Sequence, residues 1–240
     1  MIVPSGTAHV SKKMENPGID VAAATKNLVT LYGKREVEEP VIFYDSWAQD
    51  YEQHMSVMDY QAPRFGVETV DSVYLGDREN ALVLDVPCGT GLVADGLQKL
   101  GFKNFHGIDG SERMLKIAES KGLYQRLTCW ILTLDNPLPI EPGSYDLVTI
   151  VGGFAQQHLP WDILPEMLRV TKPGGFICFT MKAEESDHRR KLHASTQELV
   201  NKGLLEKVVE RYVENWQKEV LETGVSEEYA DGVAVVYKKK

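Results

Sequence analysis

Cysteine is scarce. The 240 residues contain three, Cys88, Cys129 and Cys178, and none stands at a spacing that ligates a metal or staples a small secreted fold, so neither is expected and a reducing compartment is. Long apolar runs are missing too. No stretch reaches the roughly 18 residues that a membrane span requires, and residues 1–18 lack the apolar centre and cleavage site of a secretory leader. A cytoplasmic location is expected, with a nuclear one also compatible. Positive charge is short, with 26 Lys and Arg against 35 Asp and Glu and a net charge of -9. Phosphate backbones demand dense Lys and Arg, which argues against a broad nucleic-acid surface. The basic clusters at residues 188–193 and 238–240 read as a solvated helix start and a solvated tail.

Apolar side chains are not scarce. At 43% hydrophobic residues the chain fills the core of one α/β domain with an added cap. Its most informative stretch, residues 82–91, reads Leu-Val-Leu-Asp-Val-Pro-Cys-Gly-Thr-Gly. The apolar run predicts a short buried strand over 81–84 that delivers Asp85 to its carboxyl end. Gly89 and Gly91 then let the backbone approach a ligand, and a helix over 92–100 stops at Gly101. In open α/β sheets ligands bind at such strand ends, and the first strand-to-helix turn carries the glycines. A second strand, 105–108, ends in Asp109, Gly110 and Ser111. A carboxylate there can accept both hydroxyls of a ribose, while Ser111 reads as the cap of a helix over 112–121.

These residues resemble the class I S-adenosylmethionine-dependent methyltransferases, through residues 83–91 and through Gly-Ile-Asp-Gly-Ser-Glu-Arg-Met-Leu at 107–115. Two further matches follow in order: Gly-Ser-Tyr-Asp-Leu-Val at 143–148 is similar to the turn and fourth strand of that fold, and Leu-Arg-Val-Thr-Lys-Pro-Gly-Gly-Phe at 168–176 to its approach to strand five. The resemblance implies a Rossmann-like α/β sheet of seven strands with the last antiparallel, helices on both faces and an N-terminal helical cap. The divisions expected are a mobile tail over 1–18, a cap over 19–75 and a cofactor-binding core over 76–240. The implied cofactor is S-adenosyl-L-methionine, with S-adenosyl-L-homocysteine as product, held by Tyr51, Arg64, Asp85, Pro87, Cys88, Gly89, Thr90, Gly91, Asp109, Gly110, Ser111, Met114 and Val151. For the adenine, backbone groups around Thr133 and Leu134 are favoured and the Asp135 carboxylate is the second candidate. Pro87 stands where most members have glycine. It removes one N–H donor, which either weakens cofactor binding or stiffens the loop.

In the cap, Tyr44, Trp47, Tyr51 and Met55 recur at helical spacing on one face. Trp47 is expected to pack inward and Tyr51 to lie over the cofactor. Arg64, entering from the same side, is a candidate partner of the methionyl carboxylate. The strand over 147–151 ends in Gly152 and Gly153 and runs on through Phe154 to His158, the histidine expected nearest the site. Its two readings are a general base and a helix-start residue bonded to backbone. Near the C-terminus Leu204, Leu205, Val208, Val209, Tyr212, Val213 and Trp216 have helical period, whereas the resembled topology wants a strand. Topology is preferred, giving a helix over about 195–202, a strand over 208–216 and a reversed last strand over 232–238, beside strand five and paired with strand six.

The expected activity is methyl transfer to a small-molecule or protein acceptor. Methylation of adenine or glutamine is disfavoured, because Val-Gly-Gly-Phe at 151–154 replaces the Asn-Pro-Pro-Tyr pattern. The alternatives are a non-catalytic cofactor-binding partner and, more remotely, a nicotinamide-dependent oxidoreductase. The latter lacks a third glycine after Gly91 and a Tyr-x-x-x-Lys arrangement.

Overall fold

The computed structural model describes residues 19–32, 40–154 and 158–240; the tail expected over 1–18, and residues 155–157 of the segment leading to His158, lie outside the described residues. Strands β1 (Leu82–Asp85), β2 (Asn104–Asp109), β3 (Tyr124–Cys129), β4 (Tyr145–Ile150) and β5 (Thr171–Lys182) run parallel. The reversed β7 (Gly224–Lys239) pairs antiparallel with both β5 and β6 (Leu205–Leu221), giving a seven-stranded order β3-β2-β1-β4-β5-β7-β6.

The apolar runs of the central strands are explained by burial on both sides, since side chains alternate between faces. Leu84, Val148, Ile177 and Val235 join one core with Leu164 and Met167 of α7 (Leu164–Val170) and Leu192 of α8 (Asp187–Asn201). Their neighbours Val83, Leu147, Cys178 and Val236 join the other with Val93 and Leu97 of α5 (Leu92–Lys99) and Val67 and Val70 of α4 (Ala62–Val73). The last helix of the expected cap thus packs on the sheet itself. A further helix, α6 (Glu112–Ser120), follows β2, its first turn capped by Ser111 Oγ, which accepts from the Met114 amide at 3.1 Å.

The C-terminal conflict resolves toward the strand. The apolar residues at helical spacing split across two faces: Leu205, Val213 and Trp216 are buried, whereas Val208 and Tyr212 are exposed. The backbone groups of β7 need partners on their free edge, and a segment rich in valine and tyrosine supplies them. The helix before it begins earlier than expected, because Ser186 caps it by accepting from the Arg189 amide at 3.1 Å.

The remaining cap comprises α1 (Val21–Tyr32), α2 (Pro40–Trp47), a 3-10 turn (Ala48–Asp50) and α3 (Tyr51–Val57). Leu28, Trp47, Met55 and Met58 bury themselves against Val220 of β6, with Val225 of β7 packed alongside. This part of the cap therefore rests on the far end of the C-terminal hairpin. Trp47 Nε1 donates to His54 Nδ1 at 2.8 Å inside it. Among the described residues no helix is long and apolar enough to cross a membrane.

Candidate functional site

The turn after β1 is pinned to both neighbouring strands. The Val86 amide donates to the Thr149 carbonyl of β4 at 3.0 Å and the Cys88 amide to the Ile108 carbonyl of β2 at 2.9 Å. Between them the Val86–Pro87 peptide is cis. Gly91 has φ +89, so the chain enters α5 through a left-handed residue that a side chain would disfavour. Across the turn Asp109, the last residue of β2, accepts the Gly89 amide on one oxygen at 2.8 Å and the Ser111 amide on the other at 2.9 Å. Each oxygen keeps a further lone pair for a ligand. Burial lifts this carboxyl above its ordinary range despite the two amides that stabilise its charge.

Between this edge of the sheet and the cap lies a cavity of about 540 Å³, a volume typical of small-molecule sites. Pro87, Cys88, Gly89 and Thr90 line it from the turn, Asp109, Gly110, Ser111 and Met114 from β2 and α6, and Trp130, Ile131, Leu132 and Thr133 from the segment after β3. Val151 and Gly152 line it at the end of β4, and Tyr32, Tyr44, Tyr51 and Tyr60 roof it. Thr90 Oγ1 is buried there with no hydrogen-bond partner among the described residues. Burial pushes the Tyr44, Tyr51 and Tyr60 hydroxyls far up, so they stay neutral. It does the same to the Cys88 thiol, which marks that cysteine as a packed residue and not a nucleophile.

Several expected residues stand elsewhere. Arg64 is turned to solvent, 3.5 Å from Glu68 and with its guanidinium 4.5 Å from the Phe65 ring centroid, while the preceding Pro63 lines the cavity. Consecutive helix residues are about 100° apart, and here that step carries Arg64 out to solvent while Pro63 faces the cavity. Leu134 and Asp135 sit exposed at the tip of a tight turn closed by mutual backbone bonds between Thr133 and Asn136, outside the lining that Thr133 joins. Gly91 and Asp85 lie one layer behind the cavity wall. An added Cβ on Gly91 would come 3.1 Å from the Tyr124 ring, and Asp85 is 1% exposed, accepting from the Tyr124 hydroxyl at 2.8 Å and the Thr149 hydroxyl at 2.9 Å. Burial raises its carboxyl to about 7 against those two hydrogen bonds.

His158 lines the cavity, but its Nε2 lies 2.5 Å from the Tyr44 hydroxyl. The hydroxyl and Nε2 share a hydrogen bond, which ties up this ring nitrogen. A second histidine, His188 in the first turn of α8, also lines the cavity. In the sequence it belongs to the basic cluster at 188–193, which reads as a solvated helix start. Its signal was absent locally, since only the passage of β5 into α8 brings it over the sheet edge.

The cap is latched to this edge. Asp45 of α2 accepts from Ser111 Oγ at 2.5 Å and from the Arg113 amide at 3.1 Å, and the Ser111 bond is the main reason its carboxyl lies below the ordinary range.

Residues 84–179 match the family described as methyltransferase domain. The chain is 41% identical over 180 residues to methyltransferase-like protein 27 of Homo sapiens, covering 74% of this chain and 73% of that protein. It is 32% identical over 156 residues to the demethylmenaquinone methyltransferase of Halalkalibacterium halodurans, covering 61% of this chain and 55% of that one. Among solved structures, a TehB-like SAM-dependent methyltransferase from Corynebacterium glutamicum matches with a TM-score of 0.55 at 18% identity, over 84% of this chain and 100% of that one. At that identity the likeness speaks for the fold alone.

Proposed function

Given that this chain belongs to the class I S-adenosylmethionine-dependent methyltransferases, we propose that it methylates a small molecule entering the cavity beside residues 158–161. The observation that carries this reading is the Asp109 carboxylate, fixed by the Gly89 and Ser111 amides at the cavity wall with acceptor capacity to spare. Asp109 takes the ribose hydroxyls, a pairing of charged acceptor and neutral donors that is stronger than a neutral one. Met114 and Ile131 enclose the adenine, whose edge meets backbone at Leu132 and Thr133. With Arg64 turned away, the methionyl carboxylate is left to the buried Thr90 hydroxyl and the N-terminus of α5, where free amides and the helix dipole favour an anion. Tyr44 and Tyr51 close the roof and exclude water.

S-adenosyl-L-methionine brings its methyl on a sulfonium, an excellent leaving group. The contribution left to the protein is alignment of the acceptor for in-line displacement, which supplies much of the acceleration in such reactions. Calorimetric titration with S-adenosylmethionine, S-adenosylhomocysteine and NAD, beside Asp109→Ala, tests the reading. Low-micromolar binding of both sulfur compounds, weakened more than tenfold in the variant, is expected. Binding of NAD alone, or of none of the three, overturns it.

A further inference from the structure

Of the tyrosines that roof the cavity, Tyr60 plays no part in methyl transfer as described. The residue lines the cavity, and its ring stands edge-on to the Trp216 indole, 6.5 Å between centroids at 88°. Its hydroxyl lies against Gly152 at the end of β4, where an added Cβ would come 2.5 Å from the oxygen. The absent side chain of Gly152 thus makes room for a phenol, and its φ of +73 suits glycine as well. Whereas the Tyr44 hydroxyl is bonded to His158, that of Tyr60 has no hydrogen-bond partner among the described residues. Nor is it among the unpaired atoms sealed from water. A few polar groups placed in a mostly apolar lining are what orient a bound ligand, and an open, unpaired hydroxyl is such a group.

The backbone holds this side chain in place. Tyr60 stands between α3 and α4, just after Asp59, whose φ of +51 turns the chain. The Tyr60 amide donates to the Met55 carbonyl at 3.3 Å, and the Gln61 amide to the Trp216 carbonyl of β6 at 3.0 Å. The Asp59 carboxylate accepts from the Gln61 side chain and, at 3.0 Å, from the Tyr229 hydroxyl of β7. A group fixed in this way meets a ligand at little further entropic cost. The Asp109 charge bears on Tyr44 and Tyr51, whereas on Tyr60 burial leads, followed by Tyr51 and Tyr32, and keeps the hydroxyl neutral. β4 flanks β1 on the side away from β2, so Tyr60 beside Gly152 and Asp109 at the end of β2 stand on opposite sides of the glycine turn.

We propose, on the methyl-transfer reading above, that the Tyr60 hydroxyl oxygen faces the sulfonium end of the cofactor and selects S-adenosylmethionine over S-adenosylhomocysteine. With the ribose on Asp109 after β2 and the methionyl carboxylate at Thr90 and the start of α5, the sulfur joins these two arms. Its methyl is then left the wall at the end of β4, which Gly152 and Tyr60 form. C–H groups next to a positive sulfur are electron-poor, and a phenol oxygen with its lone pairs free accepts weak bonds from them. The thioether product carries neither the methyl nor the charge, so the same oxygen gains nothing from it. Among the described lining residues there is no lysine or arginine to repel the cation.

The test is calorimetric titration of the whole chain with S-adenosylmethionine and, separately, S-adenosylhomocysteine, for the wild type and for Tyr60→Phe. That variant keeps the ring on Trp216 and removes only the oxygen beside Gly152. It is expected to lose about fivefold in affinity for the sulfonium compound and to hold the thioether within about twofold. The retained thioether affinity also certifies its fold, and the ratio of the two affinities is a readout that a merely structural role would not move. Equal weakening of both compounds overturns the proposal and assigns the hydroxyl to the arms they share. No change in either also overturns it, leaving the hydroxyl to the methyl acceptor. Failure of the wild type to bind either compound overturns instead the reading on which the proposal rests.

Discussion

Replacing Asp85 by Asn should change how the stability of the fold depends on pH. The carboxyl is 1% exposed and receives two neutral hydroxyls, from Tyr124 and Thr149. Burial outweighs those hydrogen bonds and raises it from an ordinary 3.8 to about 7, with the nearby Asp109 charge adding to the rise. Between those limits the folded chain holds a proton that the unfolded chain has released, so stability falls as pH rises through that window. At about 1.4 kcal/mol per pH unit the loss amounts to about 4 kcal/mol, a large part of the 5–15 kcal/mol typical of a domain. An asparagine carboxamide cannot ionise and still meets both hydroxyls, one as acceptor and one as donor. Urea unfolding followed by tryptophan fluorescence from pH 5 to pH 8 measures both proteins, and the difference between the two curves cancels the titrating groups that do not interact with Asp85. The stability of Asp85→Asn relative to wild type should climb with pH until the native carboxyl is fully ionised. Parallel curves, or a relative stability that declines with pH, would refute the argument.

Other outcomes follow from the same geometry. Arg64→Ala should leave calorimetric S-adenosylmethionine affinity within twofold, since the side chain faces Glu68 and solvent; a tenfold loss would return it to the site. Gly232→Ala should cost about 1–3 kcal/mol in urea unfolding, because a Cβ there would collide with the Trp216 indole, itself stacked on Phe65 at 6.1 Å. Asp45→Ala should lower the unfolding free energy by about 1 kcal/mol through lost capping of α6. Since the wild-type carboxyl is depressed, that contribution is present above its unfolded pKa and vanishes in acid, so the two proteins should converge below about pH 4.

The sequence carried the fold wherever local chemistry and topology pointed the same way. The apolar run 82–84, the glycines after Asp85, and Asp109 with its capping Ser111 were all legible because each is specified within a few residues. The edge strand β6 was legible only through resemblance, since valine, tyrosine and tryptophan at helical spacing satisfy both readings until β7 demands a partner. The cavity wall was legible in part. Arg64 illustrates the loss: the chain shows a basic residue entering from the cap, but one step of helix rotation decides between it and Pro63. Leu134 and Asp135 were carried outward by a turn whose closure depends on backbone bonds between Thr133 and Asn136. His188 was hidden among Arg189, Arg190 and Lys191, and nothing within its own helix distinguishes the inward imidazole from its solvated neighbours.

The seat of the cap on the C-terminal hairpin has a consequence for biosynthesis. Leu28, Trp47, Met55 and Met58 are translated well before Val220 and Val225, which belong to the surface that buries them. At synthesis rates of about 5–20 residues per second, these side chains spend on the order of ten seconds without their partner. A chain whose synthesis has not reached Val220 therefore leaves these apolar side chains of the cap without that part of their seat.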